Sequence, residues 1–329
     1  MLTGVRTIID TKSVGVRAIT VVAALALLVS GCGNDDDAAS DGSPTIMATT
    51  SIWADIVANV ACDGQAEVIT LIPPGGDPHA FQPSLQDRGR MESAVMIVAN
   101  GLELEEGLED TLEAVEEAGT PVFHMADHIE TIGFAPGMEL EHEGEEEDEE
   151  EHHGGDDPHV WFDPIRVADA LLPLSEALAA QGGLDSGALS ACVTKYRGEL
   201  VALDDEVAGI LAPLPHDERL MLTNHDALGY FANRYEFELV GTVIPGGTSI
   251  GEANPAELQE LVGLIGQTGV PAIFAESSHS SDDAEALARQ AGVDVVVLDT
   301  GSLGPSGSGS DTYLGFMRSN AQKIADALG

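Results

Sequence analysis

Short runs of β-branched and aliphatic residues recur along the chain, each about one strand long. They lie at 45–49, 66–72, 95–99, 219–223, 271–275 and 293–298. Between them, apolar residues spaced by three and four mark amphipathic helices at 51–62, 103–118 and 254–268. This alternation predicts an α/β fold with mainly parallel sheets. About 300 residues of such pattern suit two Rossmann-like lobes better than one sheet.

One segment breaks the rhythm. Residues 185–212 carry no strand pattern and no proline, and Leu189, Cys192, Tyr196, Leu200, Leu203, Val207 and Ile210 form a single helical stripe. At 1.5 Å per residue the segment spans about 42 Å, and Pro213 and Pro215 stop it. It reads as a helix connecting an N-terminal lobe, 44–184, to a C-terminal lobe, 213–329. A long surface helix within one domain is the alternative.

Ahead of the first strand, Arg6, Lys12 and Arg17 precede an apolar run at 18–28 that suits a secretory signal better than a membrane span. It ends in Val29-Ser-Gly-Cys32, which resembles a bacterial lipobox. The expectation is a signal at 1–31, a lipid on Cys32, and a polar tether at 32–43. The protein would then be exported and held at the outer face of the cytoplasmic membrane. An ordinary signal peptide with an incidental cysteine is the rival reading.

Charge narrows the partners. With 57 Asp+Glu against 13 Lys+Arg, the formal net charge is −44, a field that repels nucleic acid. Twelve of the acids crowd into 139–157 beside His142, His152 and His153. So dense a run of like charge cannot pack, so the segment reads as a solvated loop inserted in the N-terminal lobe. A weak auxiliary metal collector, a sensor of metal status and plain solvated filler are its three readings.

Four short motifs carry candidate chemistry. They are Pro73-Pro-Gly-Gly-Asp-Pro-His79, Asp157-Pro-His-Val-Trp-Phe-Asp-Pro164, Thr223-Asn-His-Asp-Ala227 and Val297-Leu-Asp-Thr-Gly301. Singly, each is an ordinary turn or cap. Three of them follow a predicted strand, and His159 heads the helix after the acidic loop. In open α/β sheets that edge is where ligands bind. His79, His159, His225 and Asp299 together make an N₃O donor set suited to Zn²⁺, whereas Mn²⁺ favours carboxylate-rich sites.

These motifs, in this order, resemble the cluster A-I metal-binding lipoproteins of ABC uptake systems, the TroA-like solute-binding proteins. The likeness is greatest to their zinc-uptake, ZnuA-like branch and covers 44–329. The carrying residues are Gly75-Gly-Asp-Pro-His79, Asp157 through Pro164, His225-Asp-Ala-Leu-Gly-Tyr-Phe231, and Asp299 before Tyr313-Leu-Gly-Phe-Met-Arg-Ser-Asn320. Manganese-binding members tend to carry Glu where this chain has His225. The resemblance implies two lobes joined by a rigid helix with the metal site in the cleft between them. It also implies a monomer that passes Zn²⁺ to a membrane permease, with small changes on binding. It leaves open whether Asp299 or water completes the shell.

Cys62 and Cys192, in an oxidising compartment, are expected to form a disulfide, with zinc ligation the rival. His124, His128, His216 and His279 lack motif context and read as structural or solvated; His279, which follows Glu276-Ser-Ser in a predicted loop after a strand, has support of the site as its alternative. Trp161 is expected to pack beneath His159, and Trp53 to line the cleft mouth. Two further function classes stay open: a secreted zinc hydrolase, for which no His-Glu-x-x-His pair is present, and a surface adhesin.

Overall fold

A computed structural model of the protein describes residues 43–62, 64–134, 155–244, 248–251 and 255–329. The expected signal, tether and lipidated Cys32 lie outside the described residues, as do His142, His152 and His153 of the acidic loop.

Two four-stranded, wholly parallel sheets form the frame. The first orders β2 (Glu67–Thr70), β1 (Thr45–Ala48), β3 (Met96–Ala99) and β4 (Val122–His124). The second orders β6 (Glu238–Thr242), β5 (Leu220–Thr223), β7 (Ala272–Glu276) and β8 (Asp294–Leu298). Both lobes thus use one topology, and in each the chain reverses its winding beside the first strand, β1 or β5. Such switch points open a crevice at the carboxyl ends of the strands. The edge strands β4 and β6 are additions to the predicted set. β4 has three residues, and β6 contains Gly241 opposite a register shift in β5, so neither shows a clean apolar run.

The helices follow their sequence cues. Thr50 caps α1 (Ser51–Val60), accepting from the Trp53 N–H at 3.3 Å, and a Ser84–Asp87 capping box starts α2 (Leu85–Ser93). Helix α3 (Glu109–Glu117) begins six residues later than the periodicity predicts. Leu102 and Glu103 adopt left-handed φ of 54° and 58°, and the Glu105 carboxylate turns back to the Asn100 N–H at 2.7 Å. These local bonds win over helix there.

Asp163 caps α4 (Pro164–Ala180), and Asp185 caps α5 (Ser186–Leu211). The 26 residues of α5 extend about 39 Å. They pack on α4, on α1 of the first lobe, and on α9 (Tyr313–Leu328) of the second. Tyr196, Leu200 and Val207 of α5 share one continuous core with Trp161 and Phe316. Smaller apolar clusters lie across the other face of each sheet. A Cys62–Cys192 disulfide joins the segment after α1 to α5, with Cα atoms 6.2 Å apart. Three shorter helices, α6 (Gly229–Tyr235), α7 (Pro255–Thr268) and α8 (Asp282–Ala291), complete the second lobe. Among the described residues no helix is long and apolar enough to cross a membrane.

Candidate metal centre

The two Asp-Pro-His triplets fold alike. In the loop after β2, Asp77 Oδ1 accepts the N–H of His79 at 3.0 Å; ahead of α4, Asp157 Oδ1 accepts the N–H of His159 at 2.9 Å. Each is an Asx turn, with the intervening proline limiting the backbone, so the imidazole is presented with little ordering cost. The first loop needs glycine at 76, where a Cβ would lie 2.8 Å from Ile72 and 2.9 Å from the Pro73 carbonyl oxygen. The second turn is pinned from three sides. The Asn100 amide donates to the Pro158 carbonyl at 2.9 Å, the Tyr230 hydroxyl to the Asp157 carbonyl at 2.9 Å, and the Asp157 N–H to the Ile132 carbonyl at 2.8 Å. Asn100 and Tyr230 come from opposite lobes. His225 sits two residues past the end of β5, at the switch point of the second sheet.

The structure brings His79, His159 and His225 together. Their side chains are 3%, 2% and 3% exposed. His159 Nε2 lies 3.2 Å from His79 Nε2 and 3.2 Å from His225 Nε2. Among the described residues this is the one group of three or more His, Cys, Asp or Glu whose donor atoms lie close enough to share a cation.

The far nitrogens decide the tautomers. His159 Nδ1 lies 2.8 Å from Asp157 Oδ1, and His225 Nδ1 pairs with Glu276 Oε1 at the end of β7. A proton held on each Nδ1 by a carboxylate leaves the Nε2 lone pairs facing one another, the arrangement that orients metal-ligating histidines. Tetrahedral Zn–N bonds would place such nitrogens about 3.3 Å apart, so the donor set fits a cation of that size. His79 has no such anchor: its Nδ1 is buried without a hydrogen-bond partner, 3.6 Å from Glu106 Oε1.

Electrostatics keep two of the three imidazoles neutral and make the third more basic. Burial, then the neighbouring His159 and His225, push His79 down to about 3. Burial and His225 also hold His159 well below the usual imidazole range. Burial works against a charged His225, but the Glu276 carboxylate overcomes it and raises that imidazole. Burial would likewise raise Glu276, yet His225 and the Thr300 hydroxyl, 2.6 Å away, hold it down at about 2. Asp157 is pushed up to about 7 by burial. A cation on the three Nε2 atoms would favour its ionised form.

The structure does not bring Asp299 to the cluster. Its carboxylate lies 3.5 Å from Lys323 Nζ, and its backbone is clamped by Asn320 of α9. Asp299 is not among the residues around the three histidines, whereas Thr300, one residue on, donates its hydroxyl to Glu276. Trp161 packs edge-on to His159 with ring centroids 5.4 Å apart, as expected. Trp53 differs from expectation: it is fully buried rather than at the cleft mouth, edge-on to Trp161 and donating to Asn100 at 3.1 Å. His279, read as structural, borders the small space around the three histidines and pairs with Asp77 at 2.9 Å. Glu276 had no motif to mark it, because its partnership with His225 depends on β5 and β7 being neighbours. Outside the cluster a cleft of about 390 Å³ reaches His79 past Glu103, Glu106, Asp156 and Thr248. Gly133 and Asp156, near the two ends of the acidic loop, form an antiparallel bridge beside it.

Comparison with known proteins places this geometry. Residues 46–327 match the family described as the zinc-uptake complex component A, periplasmic. The chain is 32% identical over 298 residues to the zinc-binding protein TroA of Treponema pallidum, covering 89% of this chain and 91% of that protein. It is also 30% identical over 321 residues to the manganese-binding lipoprotein MntA of Bacillus subtilis, covering 95% and 99%. The solved structure of the periplasmic zinc-binding protein TroA from Treponema pallidum superposes with a TM-score of 0.76 at 28% identity, covering 88% of this chain and all of that one. The chain belongs to this family of periplasmic zinc-uptake components, the metal-binding substrate-binding proteins of ABC transporters, and is not an enzyme.

Proposed function

We propose that the protein captures Zn²⁺ outside the cytoplasm and delivers it to an ABC permease, with His79, His159 and His225 as its ligands. The carrying observation is the convergence of three Nε2 atoms, two of them backed by carboxylates, with no carboxylate among the described residues in the cluster itself. Imidazole-rich sets favour Zn²⁺ over Mn²⁺, which prefers oxygen donors. Relatives named for zinc and for manganese are similarly distant, so the donor set carries the choice. The fourth position belongs to water or to Asp299, whose carboxylate would first have to leave Lys323. Anchoring through lipid on Cys32 and action as a monomer complete the reading. Dialysis of the purified protein against equal Zn²⁺ and Mn²⁺, followed by elemental analysis, tests the choice of metal. One equivalent of zinc and a trace of manganese is the expected result; a manganese-loaded protein would reject it.

A further inference from the structure

We infer that Asp77, Ser249 and His279 form a clasp across the cleft that gates the passage of the metal ion, with Asp77 as the positioning residue for His79. The inference rests on reading the three-histidine cluster as the metal site.

The loop that carries His79 leaves the first lobe but is tied to the second. Asp77 Oδ2 accepts from the Ser249 hydroxyl at 3.0 Å, in the loop after β6. The same oxygen lies 2.9 Å from His279 Nε2, in the loop after β7. The Gly75 N–H donates to the Ser302 hydroxyl at 2.8 Å. Pro78 lies so close to Gly301 that a Cβ there would be 2.7 Å from its ring. While Oδ2 holds the opposite lobe, Oδ1 holds the His79 N–H at 3.0 Å. One carboxylate therefore couples the fastening of the loop to the placement of a ligand.

Three features make this a gate. The ligands are almost wholly buried, so no ion reaches them without movement. His79 is the ligand whose ring lacks a carboxylate anchor, and it borders the outer cleft. Its loop is therefore the part of the site that can swing at least cost. Finally, none of the clasp bonds uses an Nε2 of the three ligands, so the clasp can form whether or not an ion is bound. An ion arriving and an ion leaving then cross the same barrier. Weakening the clasp raises the open fraction, which speeds both directions and changes affinity little.

The test is stopped-flow kinetics on the full chain. Zn²⁺ association is followed through tryptophan fluorescence, since Trp161 packs on His159, and dissociation through excess chelator. A double variant, His279→Ala with Ser249→Ala, removes both fasteners and replaces no ligand. Both rate constants should rise about tenfold, the scale of losing charge-assisted hydrogen bonds, while Kd changes by less than about threefold. His279→Gln, which keeps a donor, should stay near the parent rates. Asp77→Ala should raise dissociation further, because the His79 N–H also loses its acceptor. Unchanged rates in the double variant, or faster dissociation with unchanged association, would overturn the clasp. If tight binding is lost in His159→Ala, that failure concerns the clasp alone. Tight binding that survives His159→Ala would overturn the site and the clasp together.

Discussion

Glu276, at the carboxyl end of β7, holds the Nδ1 nitrogen of His225, just past the end of the neighbouring strand β5. Two adjacent strands at a switch point thus supply a ligand and the group that sets its tautomer. Because the pair is buried, with side chains 3% and 4% exposed, the carboxylate raises the basicity of His225 rather than being screened by water.

Replacing that carboxylate should therefore be felt by the metal. Glu276→Gln is expected to weaken zinc binding by about ten- to a hundredfold, the usual cost of losing such a partner. It should also change the pH profile. In the parent, His225 has a raised pKa, so protons compete for its Nε2 first, and affinity falls as pH drops through that value. In Glu276→Gln the imidazole is no longer raised, so this competition moves to lower pH. Titrations from pH 5 to 8 read both effects; a parallel loss at every pH would speak against the coupling.

The Asp157 turn makes a steric prediction. A Cβ at Gly229 would lie 2.4 Å from Asp157 Oδ2, so Gly229→Ala must displace the carboxylate that holds His159. Zinc affinity should fall by about tenfold or more, while helix α6, which alanine favours over glycine, remains formed. Calorimetry together with circular dichroism separates these outcomes. Unchanged affinity would mean that Asp157 does not orient His159.

Stability of the metal-free protein should fall in acid. His79 and His159 have depressed pKa values in the fold, so they contribute stability that is present above the unfolded value of 6.5 and lost as pH falls below it, for His79 down to about 3. His225, whose pKa is raised, acts in the opposite sense. Its contribution is full below 6.5 and lost as pH rises through its folded value. Below 6.5 the His225 contribution is constant, whereas Asp157, pushed up to about 7, adds stability as pH falls toward 3.8. Two falling contributions outweigh that one rising one, so denaturant midpoints should decline below about pH 6. Replacing His79 with Gln should flatten that decline.

The disulfide belongs to the scaffold rather than the site. Reduction, or Cys62→Ser with Cys192→Ser, opens a loop of 130 residues. It should lower unfolding free energy by about 2–5 kcal/mol while leaving zinc affinity unchanged. Thermal melts and metal titration of the same sample check the pair of outcomes.

How much of this was legible beforehand differs residue by residue. The twin Asp-Pro-His turns announce themselves, because the same three residues produce the same local hydrogen bond at 77–79 and 157–159. His225 was visible as a histidine just past a strand. The resemblance to metal-uptake lipoproteins assembled these into one site. Glu276 was not legible and His279 only as a minor alternative, since each acts through contacts with partners 51 and 202 residues away that follow only from strand order and lobe packing. Asp299, just past β8, stands one residue before Thr300 at the site but pairs with Lys323 of α9, a contact that no motif signals. The edge strands β4 and β6 escaped for a simpler reason, being too short or glycine-broken to carry a period.

The central claim is that three histidines share one cation, and titration of the parent with Zn²⁺ beside His79→Ala, His159→Ala and His225→Ala tests it most directly. The account predicts one tight site in the parent and at least about a hundredfold weaker binding in each variant, since each loses one of three protein nitrogens. Tight zinc binding that persists undiminished in all three variants would contradict it.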